Sequence, residues 1–145
     1  MTVRTLAFLL LSTTLLAQEP SPFGPPPNRE APAPNLSFER LVQSTKEPQN
    51  WLTYSGGLSS QRHSLLTTIQ PGNARDLELK WVFQSRSLDR HQVTPLVVDG
   101  TMYTIQSPND VVALNAATGK QIWIYSYTPD PAAKNCCGRF SRGVA

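Results

Sequence analysis

Three residues near the carboxyl end have types and spacing that can do chemistry. They are the neighbouring pair Cys136-Cys137, and Arg142 six positions after the first of them. Two adjacent thiols are open to three readings: they stay free, they bond to another chain, or they close on one another. In an exported protein the oxidising compartment favours a disulfide. A ring between neighbours restrains the unfolded chain little, so it would be a local device and not a staple across a long loop. Arg142 presents a planar fork of donors that matches a carboxylate and stays charged at any relevant pH, although a lone arginine is most often a solvated surface residue. The other titratable side chains offer less. His63 and His91 are isolated, with no partner at metal-ligand spacing, and read neither as metal ligands nor as general bases. Asp99 and Asp110 fall in turn sequences and read as turn residues. The formal net charge is +3, and its basic residues are interleaved with acids, as in Arg75-Asp76-Leu77-Glu78-Leu79-Lys80. No phosphate-tracking stripe results, which argues against a nucleic-acid partner.

The elements that must position these residues begin after a leader. Arg4 supplies a short positive region, and Leu6 to Leu11 with Leu15 and Leu16 supply an apolar one. Leu15-Leu16-Ala17 then precedes a cut ahead of Gln18, so residues 1–17 read as a secretory signal. A membrane helix needs about 20 apolar residues, and this run is shorter and broken by Ser12, Thr13 and Thr14, so no membrane span is expected after cleavage. Residues 18–35 are punctuated by Pro20, Pro22, Pro25, Pro26, Pro27, Pro32 and Pro34. Proline lacks the N–H that a helix interior or sheet ladder needs, so this stretch reads as a solvated tether. Residues 36–145, about 110 in all, are left to build a single core.

Within 36–145, Phe38, Leu41 and Val42 are spaced three and four apart behind the capping candidates Asn35 and Ser37. This predicts a short amphipathic helix over 36–46, ended before Pro48. The aromatic stretch Asn50 to Gly57 reads as irregular packing, with Trp51 and Tyr54 buried. From Leu77 the period becomes two. Leu77, Leu79, Trp81 and Phe83 alternate with Glu78, Lys80, Val82 and Gln84, which predicts a half-buried strand. Further strands are expected over 94–98, with Pro95 at the start, and over 101–105, 111–114 and 121–125. The Asp99-Gly100 pair is a strong hairpin signal, because both positions must tolerate positive φ. Four short antiparallel strands joined by tight turns make a meander, the unit of a β-propeller. Such a blade leaves both faces wet until neighbours cover them, so the sequence reads as part of a larger assembly.

The segment Ala113-Leu-Asn-Ala-Ala-Thr118-Gly119-Lys120-Gln-Ile-Trp123 resembles the tryptophan docking motif of quinoprotein propellers, with Asn115 where that family places Asp. Asn50-Trp-Leu-Thr-Tyr-Ser-Gly56 followed by Gln61-Arg62-His63-Ser64 resembles the opening of pyrroloquinoline quinone (PQQ)-dependent alcohol dehydrogenases, with His63 in place of a tyrosine. Thr94 to Tyr103 is similar to the first blade's inner strands, and Cys136-Cys137 with Arg142-Gly143-Val144-Ala145 is similar to the family's cofactor segment. The resemblance runs from about Leu36 onward. It implies an all-β fold: the first blade, plus closing strand, of an eight-bladed quinoprotein β-propeller with a short amino-terminal helix. It implies that Cys136 and Cys137 form a vicinal disulfide lying against one face of PQQ, that Arg142 binds the cofactor's carboxylates, and that Gln92 contacts another carboxylate as a neutral amide. It further implies a periplasmic enzyme that oxidises a small alcohol or sugar and passes electrons to cytochrome c or a quinone. The family's catalytic Asp, its Ca²⁺ or lanthanide ligands and its stacking Trp lie farther along than this chain extends, so the chain alone is expected to be inactive. The competing expectation is a non-enzymatic propeller scaffold binding protein partners at the outer membrane, which has no need of Cys136-Cys137 followed by Arg142.

Overall fold

A computed structural model describes residues 34–126 together with 130, 132, 138 and 141–144. The expected signal over 1–17, most of the tether over 18–35, and the Cys136-Cys137 pair lie outside these described residues. The architecture is one antiparallel sheet of four strands in sequence order. Strand β1 is Leu96–Val98, β2 is Thr101–Gln106, β3 is Asp110–Asn115 and β4 is Gln121–Tyr125.

Turn chemistry fixes the register. Asp99 and Gly100 have φ of 49° and 79°, the two positive values that a tight primed hairpin requires, and they place Val98 opposite Thr101. Pro95 stands just before β1, where its missing N–H costs no ladder bond. The β3–β4 turn is built by Asn115. Its Oδ1 accepts from the Ala117 and Thr118 backbone N–H groups and from the Thr118 hydroxyl at 3.0–3.1 Å, while its carbonyl accepts from Gly119 N at 2.8 Å. The acceptor oxygen that Asn shares with Asp therefore does the work expected at this position.

The core is Leu52, Leu96, Val98, Ile105, Val112, Ala113 and Leu114. Three consecutive residues of β3 are buried, so the two central strands are covered on both faces and depart from simple alternation. One cover is the segment from Trp81 to Arg90. Trp81 Nε1 donates to the Ala116 carbonyl at 3.1 Å, Arg86 N donates to Gln106 Oε1 at 3.1 Å, and the Ser107 hydroxyl donates to the Arg90 carbonyl at 2.9 Å. At β1's outer edge, Trp51 and Val97 exchange backbone hydrogen bonds of 2.8 and 3.0 Å.

Three expectations are corrected. The strand expected over Leu77–Phe83 does not form. The segment joins no ladder and is held by the Trp81 side chain, and Leu79 is 82% exposed because no second face covers it among the described residues. The helix expected over 36–46 shrinks to α1, Phe38–Val42, followed by a 3₁₀ turn at Ser44–Lys46. Ser37 caps it as expected, its hydroxyl accepting from Arg40 N at 3.2 Å. Its apolar stripe is not buried, since Phe38 is 69% exposed. Helices this short gain little on their own. This one is docked by charge, because Arg40 reaches both carboxylate oxygens of Asp99 on the β1–β2 turn at 2.6 and 3.0 Å. Tyr54, finally, is not buried packing but 49% exposed.

Candidate functional site

The candidate site lies where residues 141–144 meet the entry to β1. Thr94 N donates to the Arg142 carbonyl at 3.2 Å, and a Cβ added to Gly143 would sit in ordinary contact, 3.5 Å from the Thr94 carbonyl. One hydrogen bond thus brings the Arg142 segment beside a chain segment that starts, two residues before Thr94, at Gln92. Both Arg142 and Gln92 are exposed. The structure therefore joins the two strands of chain that carry these expected contacts.

Two residues not singled out as contacts by sequence reasoning enter the same place. The loop after the Gly56-Gly57 pair doubles back, with Ser60 N donating to the Gly57 carbonyl at 3.0 Å and Arg62 N to the Ser55 carbonyl at 3.2 Å. Ser60 and Arg62 take φ of 56° and 51°, an unusual conformation for residues with a Cβ. The return carries the Arg62 guanidinium to 4.9 Å from the centre of the Tyr54 ring. The Tyr54 hydroxyl is held below the ordinary tyrosine value, first by the Thr94 side chain and then by Arg62, with the charge of Arg142 adding to the effect. Tyr54 and Thr94 each lie three residues from the antiparallel Trp51–Val97 bridge on the same side of it, so the stacked Tyr54–Arg62 pair and the Thr94–Arg142 backbone bond belong to one cluster. The signal available in the sequence was the glycine pair, which permits the reversal, but nothing in the residue pattern reveals that the reversal ends over Tyr54.

Electrostatically the cluster is cationic. Among the described residues neither Arg62 nor Arg142 has a carboxylate partner, whereas Arg40 is paired with both Glu47 and Asp99. Beside the cluster is a cavity of about 80 Å³ lined by Trp51, Gly57, Arg62 and His63 among others. It is far smaller than a drug-sized pocket. Among the described residues there is no group of three or more His, Cys, Asp or Glu side chains able to hold a metal ion. No described helix is long and apolar enough to cross a membrane.

The remaining motif residues define the protein class. A Cβ on Gly119 would lie 2.4 Å from Trp81 Cε3, so the indole is seated directly on the Thr118-Gly119 turn. Trp123 packs at a 52° tilt against Tyr103, with ring centres 6.0 Å apart. A four-stranded antiparallel meander is the unit of a propeller blade, and here its β3–β4 turn receives Trp81 while Trp123 packs within the sheet.

Residues 51–145 match the family described as glucose/ethanol/alcohol dehydrogenase, beta-propeller domain. The dehydrogenase subunit of the quinone alcohol dehydrogenase of Acetobacter aceti is 35% identical over 147 residues, covering 97% of this chain and 19% of that protein. The quinohemoprotein alcohol dehydrogenase ADH-IIG of Pseudomonas putida is 39% identical over 114 residues, 77% of this chain and 16% of that protein. A solved structure of ADHIIG from strain HK5 of that species matches with a TM-score of 0.64 at 36% identity, covering 66% of this chain and 14% of that one. A europium-containing methanol dehydrogenase matches with a TM-score of 0.57 at 30% identity, covering 63% of this chain and 16% of that one. The chain belongs to the PQQ-dependent alcohol dehydrogenase family, and it spans less than a fifth of the length of these relatives.

Proposed function

We propose that this chain supplies one blade and part of the PQQ site to a periplasmic enzyme that oxidises a small alcohol, with a sugar as the second substrate class. The observation that carries this reading is the Thr94–Arg142 backbone hydrogen bond, which brings an exposed arginine, without a carboxylate partner among the described residues, to the segment that starts at Gln92. PQQ is planar and acidic, and a cationic cluster on an open face suits it. Arg142 binds a cofactor carboxylate through its planar fork, and Gln92 orients a second carboxylate by donating from its amide. Cys136 and Cys137, joined as a vicinal disulfide, form a rigid uncharged wall that keeps the ring system from tilting. When bound, PQQ supplies the two-electron acceptor that amino-acid side chains lack. A Ca²⁺ or lanthanide ion would supply Lewis acidity to the cofactor, and no group among the described residues would hold it. On this reading residues 1–17 direct export, electrons leave to a cytochrome c, a haem or a quinone, and the 145-residue chain alone holds the cofactor without turning over alcohol.

The test is a titration of the purified chain with PQQ, followed by quenching of tryptophan fluorescence. Saturable binding that weakens about tenfold in Arg142→Gln, the size of losing one charged hydrogen bond, is the expected result. No saturable binding, or identical binding by the variant, overturns the assignment of Arg142.

A further inference from the structure

Arg62 is the strongest feature of the chain that the reading above leaves without a task. A non-glycine residue at φ 51° is strained, and such strain persists where the surroundings over-determine it. Here the surroundings do two things. The Ser55–Arg62 backbone bond closes the loop, and the guanidinium is laid over an exposed phenol at 4.9 Å. Tyr54 and Thr94 each lie three residues from the antiparallel Trp51–Val97 bridge, on the same side of it, and the Thr94 backbone is bonded to Arg142. Two arginine segments therefore meet at this edge, and neither arginine has an acid to neutralise it among the described residues. Like charges brought together on a half-wet surface favour a bound anion, and the planar fork of arginine favours a carboxylate.

We propose that Arg62 and Tyr54 form a second anion-binding arm beside Arg142, so that the site selects a planar aromatic ligand bearing two or more separated carboxylates over one bearing a single carboxylate. Arg62 supplies the charge, and the Tyr54 hydroxyl supplies a neutral donor beside it. Thr94 links the two arms, because its N–H holds the Arg142 carbonyl and it stands at the same distance from the Trp51–Val97 bridge as Tyr54. The inference rests on the cofactor reading for the identity of the natural ligand, but not for the existence of the arm.

The experiment is calorimetric titration of the full chain with four probes: PQQ, benzene-1,2,4-tricarboxylate, benzoate and inorganic phosphate. Wild type is compared with Arg62→Gln, Arg62→Lys, Tyr54→Phe and Arg142→Gln, each first matched to wild type by far-ultraviolet circular dichroism. Arg62→Gln is expected to weaken both polycarboxylates about tenfold or more, Tyr54→Phe a few-fold, and Arg62→Lys less than Arg62→Gln, because a charged hydrogen bond is lost in the first case and a neutral one in the second. Benzoate, held by Arg142, is unchanged by Arg62→Gln. If PQQ binds and Arg142→Gln weakens it while Arg62→Gln does not, the second arm is wrong and the cofactor reading stands. If the tricarboxylate binds in an Arg62-dependent way and PQQ does not bind, the arm stands and the cofactor reading falls. Phosphate binding as tightly as the tricarboxylate overturns the proposed selectivity, and binding of none of the probes overturns both ideas.

Discussion

At the scale of single residues, Arg40 shows how a surface charge can dock an element. Its guanidinium bonds both oxygens of Glu47 at 2.6–3.1 Å and both of Asp99 at 2.6 and 3.0 Å, and it donates to the Asn35 carbonyl at 2.7 Å. Asn50 completes the network, donating to Glu47 at 2.7 Å and accepting from the Asp99 backbone N–H at 3.0 Å. Arg40 is the leading cause holding the carboxyl groups of Glu47 and Asp99 below their ordinary values, and Asn50 adds to it at both. A carboxylate whose folded pKa is depressed contributes stability that is fully present above its unfolded pKa and is lost as pH falls through the folded one. The denaturation midpoint should therefore be flat above the ordinary carboxylate values of 4.5 and 3.8 and fall below them. Arg40→Ala should lower the midpoint at neutral pH and make that acid-side fall shallower, as chemical denaturation at stepped pH would show. An unchanged acid slope in the variant would mean that the carboxylates are not coupled to folding through Arg40.

At the scale of elements, the docking of Trp81 on the β3–β4 turn is the most demanding contact. A side chain on Gly119 meets the indole at 2.4 Å and adds backbone strain at φ 68°. Gly119→Ala should cost roughly 2–4 kcal/mol and red-shift the tryptophan emission as the ring is expelled into water. A near-neutral change would mean that the Trp81 segment is only loosely applied to the sheet. The far end of the same segment gives a second test. Gln106 is 2% exposed and ties Arg86 N to Asp110 through its two amide ends. Gln106→Ala should expose the chain at Arg86 and Arg90 to limited trypsin cleavage, with little change if the Ser107–Arg90 bond alone holds it. These contacts also show what was legible beforehand. The hairpins were legible because Asp99-Gly100 and Asn115 to Gly119 carry their own turn chemistry. The strand over Leu77–Phe83 was misread because alternation reports which residues want a surface, not whether a ladder partner exists. The helix is shorter than its apolar spacing predicts because that stripe is not buried, and its anchor is one arginine paired with Asp99, 59 positions away. At the site, Arg142 and Gln92 were legible only through family resemblance, and Arg62 was not singled out because its neighbour Tyr54 is reached by a backbone reversal.

At the scale of the whole molecule, the apolar side chains of one stretch are conspicuously wet. Leu58, Leu65, Leu66, Ile69, Leu77, Leu79, Val82 and Leu88 are each more than half exposed. In a repeat architecture a blade buries its faces against its neighbours, and the matched segment covers less than a fifth of the relatives' length. Taken by itself, the chain should therefore bind a hydrophobic dye and associate as its concentration rises. The remedy distinguishes this cause from a weak core. Leu79 and Val82 are 82% and 73% exposed, so Leu79→Lys with Val82→Lys should suppress dye binding and association while shifting the unfolding free energy by no more than about 0.5 kcal/mol. Leu114 is 1% exposed, and Leu114→Ala should do the reverse, costing about 2–5 kcal/mol and increasing dye binding. Sedimentation velocity across a concentration series, paired with denaturant melts, reads both quantities. If the double lysine variant associates as strongly as wild type, the exposed 77–82 stretch is not the adhesive surface, and the outer edge of β4, unpaired among the described residues, becomes the part of the blade that must be capped.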